Sequence, residues 1–174
     1  MNLKNSFCVS LGVCVAVMLL CGIGCEQPSV SLIPDRIHTV AVETFSNKTI
    51  RFGLEEELTW DIIDEFIRDG RLSIAETSRA DSLLTGEITR YSLEPVSYDE
   101  NYIVEAYRIS VEIDMKFTDL ATNKVFIQET GIPYAVTYYV TPKAGEAVGT
   151  EDDAQERLAS ELAQELVNLV LRWR

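Results

Sequence analysis

Val104-Glu-Ala-Tyr-Arg-Ile-Ser-Val-Glu-Ile-Asp-Met-Lys-Phe-Thr118 carries the clearest pattern in the chain. Ile109, Val111, Ile113, Met115 and Phe117 fall on one side of an extended backbone. Arg108, Ser110, Glu112, Asp114, Lys116 and Thr118 fall on the other. Successive side chains of a strand emerge on opposite faces, so this stretch predicts a long strand with one face on a core and the other toward water or a partner.

The neighbouring segments extend a sheet from it. Asp119 to Lys124 is a hairpin connection leading into a strand over Val125 to Glu129. Tyr134 to Val140 reads as a weaker strand, placed at an edge by Pro133. Upstream, Leu72 to Ala75 is a short strand and Ser82 to Leu93 a longer one broken by Gly86. His38 to Phe45 alternates, with Val40, Val42 and Phe45 as candidates for its apolar sides, and is the first strand, with Ser46 to Thr49 as its turn. His38, the only histidine, lacks the companions a metal site needs and reads as a surface residue at the start of that strand.

Two segments have helical spacing. Leu54, Leu58, Ile62, Ile63, Phe66 and Ile67 define an apolar stripe opposite Glu57, Asp61, Asp64, Glu65 and Arg68. The acids Glu55 to Glu57 suit the positive end of that helix, and Gly70 is a natural stop. Leu158, Leu162, Leu166, Leu169, Val170 and Trp173 form the stripe of a terminal helix opened by a capping box of Thr150 and Asp153. Arg172 and Arg174 lie at its negative end. The fold class expected is α+β: two amphipathic helices packed on one face of a mostly antiparallel sheet of about four strands. The 174 residues hold no internal repeat and leave room for one domain, residues 37–174.

The N-terminus has a different character. Phe7 to Leu20 carries no charge and follows Lys4, the layout of a secretory signal peptide over residues 1–24. All four cysteines, Cys8, Cys14, Cys21 and Cys25, lie in the first 25 residues, which rules out a disulfide framework in the domain. Leu20-Cys-Gly-Ile-Gly-Cys25 resembles a bacterial lipobox, with small Gly24 before Cys25 and Gly22 where a leucine is usual. Cys25 is the expected lipidation site, carrying thioether-linked and palmitoyl-type chains, and residues 25–36 the tether. Cys21 is the rival site, although Leu20 is bulky for the position before a cut. Retention of residues 7–24 as a membrane-spanning helix is the other alternative. Each version places the domain outside the cytoplasm.

The charge narrows the partners. The chain carries −13, and loss of residues 1–24 removes Lys4 to leave −14. Nucleic acid and a polybasic hold on anionic lipid are both disfavoured. No Gly-rich phosphate loop, dinucleotide fingerprint or zinc ligand set is present. Asp99-Glu100 is an acid pair of the sort that hydrolyses glycosides, but it sits in a charged loop where solvation explains it. The expectation is a protein that is not an enzyme and needs no cofactor.

Several blocks, taken in order, resemble the LptE family of lipopolysaccharide-assembly lipoproteins. Thr39-Val-Ala-Val-Glu-Thr-Phe-Ser-Asn-Lys-Thr49 is similar to its opening strand and Phe-x-Asn-x-Thr turn, and Gly53-Leu-Glu-Glu-Glu-Leu-Thr59 to the start of its first helix. Ala80-Asp81 with Leu84-x-Gly86-x-Ile88 looks like its next strand. Pro95-Val-Ser-Tyr-Asp99 and Glu105-x-Tyr107-Arg108 resemble its third block. The resemblance implies an outer-membrane lipoprotein at the periplasmic face, acting as plug and assembly partner of an LptD-like β-barrel in lipopolysaccharide insertion. It also implies contact with lipopolysaccharide, for which Arg90, Arg108 and Lys116 are weak candidates because Glu112 and Asp114 interleave with them. The turn at Phe45 to Thr49 resembles curli-secretion and Tol-type domains as well. A module binding other periplasmic proteins or peptidoglycan is therefore the alternative, and a hydrolase or small-ligand binder on the same tether a third.

Overall fold

The structure is a computed structural model that describes residues 33–172, with Ala144 and Glu146 left out. The signal peptide, Cys21, Cys25 and the first part of the tether lie outside the described residues, as do Trp173 and Arg174.

Six strands and two helices follow in the order β1 (Thr39–Val42), β2 (Ser46–Asn47), α1 (Leu54–Asp69), β3 (Ser73–Ile74), β4 (Ser82–Tyr98), β5 (Val104–Asp119), β6 (Val125–Tyr139) and α2 (Glu151–Leu171). They form one mixed sheet in the order β3-β1-β4-β5-β6, with β2 also on β4. The expected sheet of about four mostly antiparallel strands is corrected on both counts. β4, β5 and β6 form the antiparallel meander read from the sequence. β1 instead runs parallel to β3 and β4, and β2 parallel to β4. The reason is α1: a helix between two strands carries the chain back to its starting end, so strands on either side of it run parallel.

Two strands are longer than expected. β4 runs through Gly86 and Pro95 to Tyr98. β6 absorbs both anticipated segments and contains Pro133. Proline is tolerated where no ladder hydrogen bond is lost. β6 is the outer strand of the sheet, and β4 beyond Ile88 has β5 as its only neighbour among the described strands. Gly131 (φ +66) accommodates a register shift in β6, its N–H donating to Asp114 at 2.8 Å.

The core forms on the face the alternation predicted. Ile109, Val111, Ile113, Met115 and Phe117 are all buried, packed with Leu84, Ile88, Ile127 and Val136 of the adjoining strands. α1 supplies Leu54, Leu58, Ile62 and Phe66, and α2 supplies Leu158, Leu162, Leu166 and Val170. Ile67, expected on the α1 stripe, is exposed. Gly70 (φ +76) ends α1, its N–H donating to Phe66 O at 3.0 Å. Thr150 and Asp153 form the reciprocal capping box of α2.

Ile33 and Ile37 are fully buried in the same core. Chain packing is thus under way four residues before the expected domain start at 37. Arg36 pairs there with buried Asp119, which also accepts from Thr122 Oγ1 at 2.5 Å and Ala121 N at 2.9 Å. The pairing pins the incoming chain to the end of β5.

Candidate functional surface

The buried motif residues have structural work. Phe45, almost fully buried, lies over Gly86, where an added Cβ would stand 2.0 Å from ring Cε1. Its N–H donates to Thr59 Oγ1 at 3.0 Å, and that hydroxyl donates to Glu55 O at 2.6 Å. Asp81 accepts from His38 N, Thr39 N and Thr39 Oγ1 at 2.9, 3.0 and 2.9 Å. Those bonds, led by the one from His38 N, hold its carboxyl below the ordinary range. His38 itself is exposed at the entry to β1. Asp99 is a turn staple, accepting from Asn101 N and Ile103 N at 2.8 Å each.

The second face of the meander is open. Register places Thr85 opposite Lys116, Glu87 opposite Asp114, Arg90 opposite Glu112, Ser92 opposite Ser110 and Glu94 opposite Arg108. These side chains are exposed or half-buried. Arg90, Arg108 and Lys116 therefore share one face, as expected, but do not form a cluster. Arg108 and Lys116 stand eight residues apart along β5, about 26 Å. Arg90 is paired with Glu112 at 3.2 Å. Lys116 lines a depression of about 390 Å³ together with Glu43, Glu87, Asp114 and Glu129. Opposite charges face each other at Arg90–Glu112 and Glu94–Arg108, whereas Glu87 faces Asp114 and the depression around Lys116 is predominantly acidic.

A different surface lies at the end of the sheet away from Arg36 and Asp119. Beyond Tyr91, whose hydroxyl donates to Glu151 at 2.8 Å at the start of α2, β4 and β5 continue as a ribbon toward Tyr98 and Val104. Leu93, Val96, Tyr98, Tyr102 and Ile103 are exposed along it. At its base the β2–α1 loop holds out Ile50 and Phe52, 92% and 86% exposed. Sequence reasoning missed these residues. Ile50-Arg-Phe52 shows the alternation of a strand, and alternation alone does not reveal which of two faces is covered.

The described residues thus form an α+β unit with one open polar sheet face and exposed apolar side chains at one end. The sequence model of the LptE lipopolysaccharide-assembly family matches residues 37–170, and the chain belongs to that family. No curated protein matches the chain. Among solved structures, it is similar to a Xanthomonas campestris protein at 12% identity and TM-score 0.54, over 80% of this chain and 90% of that one. A Caulobacter crescentus chain described as a candidate lipoprotein gives 16% and 0.50, over 75% and 89%. A Chlamydia trachomatis protein gives 14% and 0.50, over 77% and 98%. At these identities the likeness concerns the fold.

Proposed function

We propose that this chain is an outer-membrane lipoprotein, anchored through Cys25 at the periplasmic face, that plugs and helps assemble an LptD-like β-barrel in lipopolysaccharide insertion. The observation that carries the reading beyond family membership is the open face of the meander. A barrel lumen is polar and water-filled, so a plug inside it needs a surface that remains solvated yet presents paired charges. The face of β4 and β5, with Arg90–Glu112 and the facing Glu94 and Arg108, has that character. An apolar face would be buried at the lumen wall only by stripping water from the barrel's own polar groups.

The proposed work is positional and needs no cofactor or covalent step: hold the barrel in its folded state and keep the lumen occupied. Direct contact with lipopolysaccharide is a lesser part of the proposal, and Arg90, Arg108 and Lys116 are the residues on which it would fall. Their spacing and acidic neighbours favour scattered contacts over a single phosphate-binding pocket.

Depletion of the protein in its own cells tests the reading. Surface lipopolysaccharide should fall and the barrel should accumulate misassembled. Unchanged surface lipopolysaccharide, with disturbance confined to peptidoglycan or to soluble periplasmic partners, would favour the general envelope module instead.

A further inference from the structure

The β2–α1 loop is a small rigid device. Asn47 Oδ1 accepts from Thr49 N and Thr49 Oγ1, each at 2.8 Å, while its Nδ2 donates to Arg51 O and Glu55 Oε2, each at 2.7 Å. Arg51 N donates to Thr49 Oγ1 at 3.2 Å, and Gly53 N to Glu55 Oε2 at 3.1 Å. Gly53 turns into α1 at φ +94, a backbone conformation natural to glycine. The guanidinium of Arg51 donates to Asp152 Oδ1 and Gln155 Oε1 of α2, each at 2.6 Å.

All of this polar bonding serves the residues around Ile50 and Phe52 and covers neither. A flexible loop would let a phenylalanine fold back onto nearby apolar surface. Here residue 51 is fastened inward, and the apolar side chains on either side of it are held in water. An apolar anchor ordered before binding loses little conformational freedom when a partner covers it, and such residues dominate interface energetics.

The surroundings of Phe52 indicate what covers it. With Gly53 and Leu54 it lines a groove of about 340 Å³ whose other walls include Glu57, Asp152, Asp153 and Glu156. The adjoining surface adds Asp61 of α1 with Arg157 and Glu161 of α2. Acids outnumber bases along these walls, with Arg51 and Arg157 among the nearby cations, and burial first and neighbouring acids second push the carboxyls of Glu57 and Asp61 above their ordinary values. An anionic lipid or a polyanionic saccharide would add to the repulsion. A protein segment bearing Arg or Lys beside apolar side chains would relieve it.

We infer that the Ile50–Phe52 loop and the acidic groove beside it are a docking surface for a basic, apolar segment of a protein partner. On the reading given above, that segment belongs to the barrel, and the loop is an anchoring point between the two.

The test uses the full-length lipoprotein in its native envelope. The photo-reactive residue p-benzoylphenylalanine, placed at 52, should yield an adduct with a protein, and at Val125, on the far end of the sheet, none with that protein. Ile50→Ser with Phe52→Ser should reduce co-purification of that protein at least tenfold. Glu57→Lys with Glu156→Lys should do so as well. Because Ile50 and Phe52 are exposed, the serine variant should keep its thermal unfolding midpoint, which separates lost docking from lost folding. Adducts confined to lipopolysaccharide or phospholipid, or undiminished recovery with both double variants, would overturn the inference. A captured protein that is not a barrel would leave the docking surface standing and refute the barrel reading. Barrel recovery indifferent to all four substitutions would do the reverse.

Discussion

Gly86→Ala provides a sharp test of the packing that underlies the fold. In most strand positions this change is favourable by about 0.5–1 kcal/mol, because glycine loses more backbone freedom on folding. At Gly86 the new methyl would lie 2.0 Å from Phe45 Cε1 and 2.5 Å from Cδ1 and Cζ. Carbon atoms pack at about 3.5–4.0 Å, so the ring must move by roughly 1.5 Å or more. Phe45 is almost fully buried and its N–H is tied to Thr59, which leaves it little room. Overpacking costs about 1–3 kcal/mol, and complete loss of a buried phenylalanine's packing about 3–5 kcal/mol. The expected cost lies between, at about 2–4 kcal/mol, or a fall in Tm of roughly 6–14 °C for a domain of this size. Urea unfolding of the chain from residue 31 onward, followed by circular dichroism, measures it. Phe45→Ala should cost about 3–5 kcal/mol alone. Gly86→Ala should add almost nothing to Phe45→Ala, giving a coupling of at least about 1.5 kcal/mol. A single Gly86→Ala variant within about 0.5 kcal/mol of the parent, or additive costs in the double variant, would refute the Phe45–Gly86 contact.

Further expectations concern other joints of the molecule. The hydrogen bond from Arg36 first, acting against burial, and then those from Thr122 and Ala121 bring the Asp119 carboxyl down to about 2. A carboxylate depressed in the folded state stabilises above its unfolded pKa, and the contribution is lost as pH falls from about 4 toward 2. Asp119→Asn should therefore flatten the decline of the urea midpoint across that window, and an unchanged decline would exclude the mechanism. Thr150→Ala should cost about 1 kcal/mol by removing the α2 cap, while Thr150→Gly should cost only a few tenths; equal effects would contradict the capping account. Cys25→Ala should abolish palmitate labelling in cells and leave the unfolding midpoint unchanged, since buried Ile33 lies eight residues further along the chain. Persistent labelling would move the attachment to Cys21.

Much of the fold was legible because it is written in local periodicity. The alternation of Ile109 to Phe117 correctly assigned the buried face of β5, and the 3.6-residue stripes located both helices. The parallel pairing of β1 with β3 and β4 carries no local mark. It follows from α1 returning the chain, a consequence of three-dimensional connection. Gly86 read as a break because a glycine supplies no side chain to the pattern; the ring of Phe45, from 41 residues earlier, fills its place. Pro133 did mark a sheet edge, but the pattern did not show that β6 runs through it as a single strand.

The candidate surface was legible only in part. Arg90, Arg108 and Lys116 do share the open face, since β-strand period and hairpin register suffice to put them there. The spacing of Arg108 and Lys116 along β5 is already in the sequence, whereas the Arg90–Glu112 pairing depends on the alignment of two strands. The alternation at Ile50 and Phe52 did not reveal their exposure, which is decided by what fails to pack on them and by the hold of Asn47 and Arg51 on the loop.

The central claim, a plug bound to a barrel, is tested most directly by isolating the intact protein from its native outer membrane after mild cross-linking. The account predicts a one-to-one complex with a large outer-membrane β-barrel that survives detergent extraction. Recovery of soluble periplasmic proteins alone, with no barrel at any cross-linker dose, would contradict it.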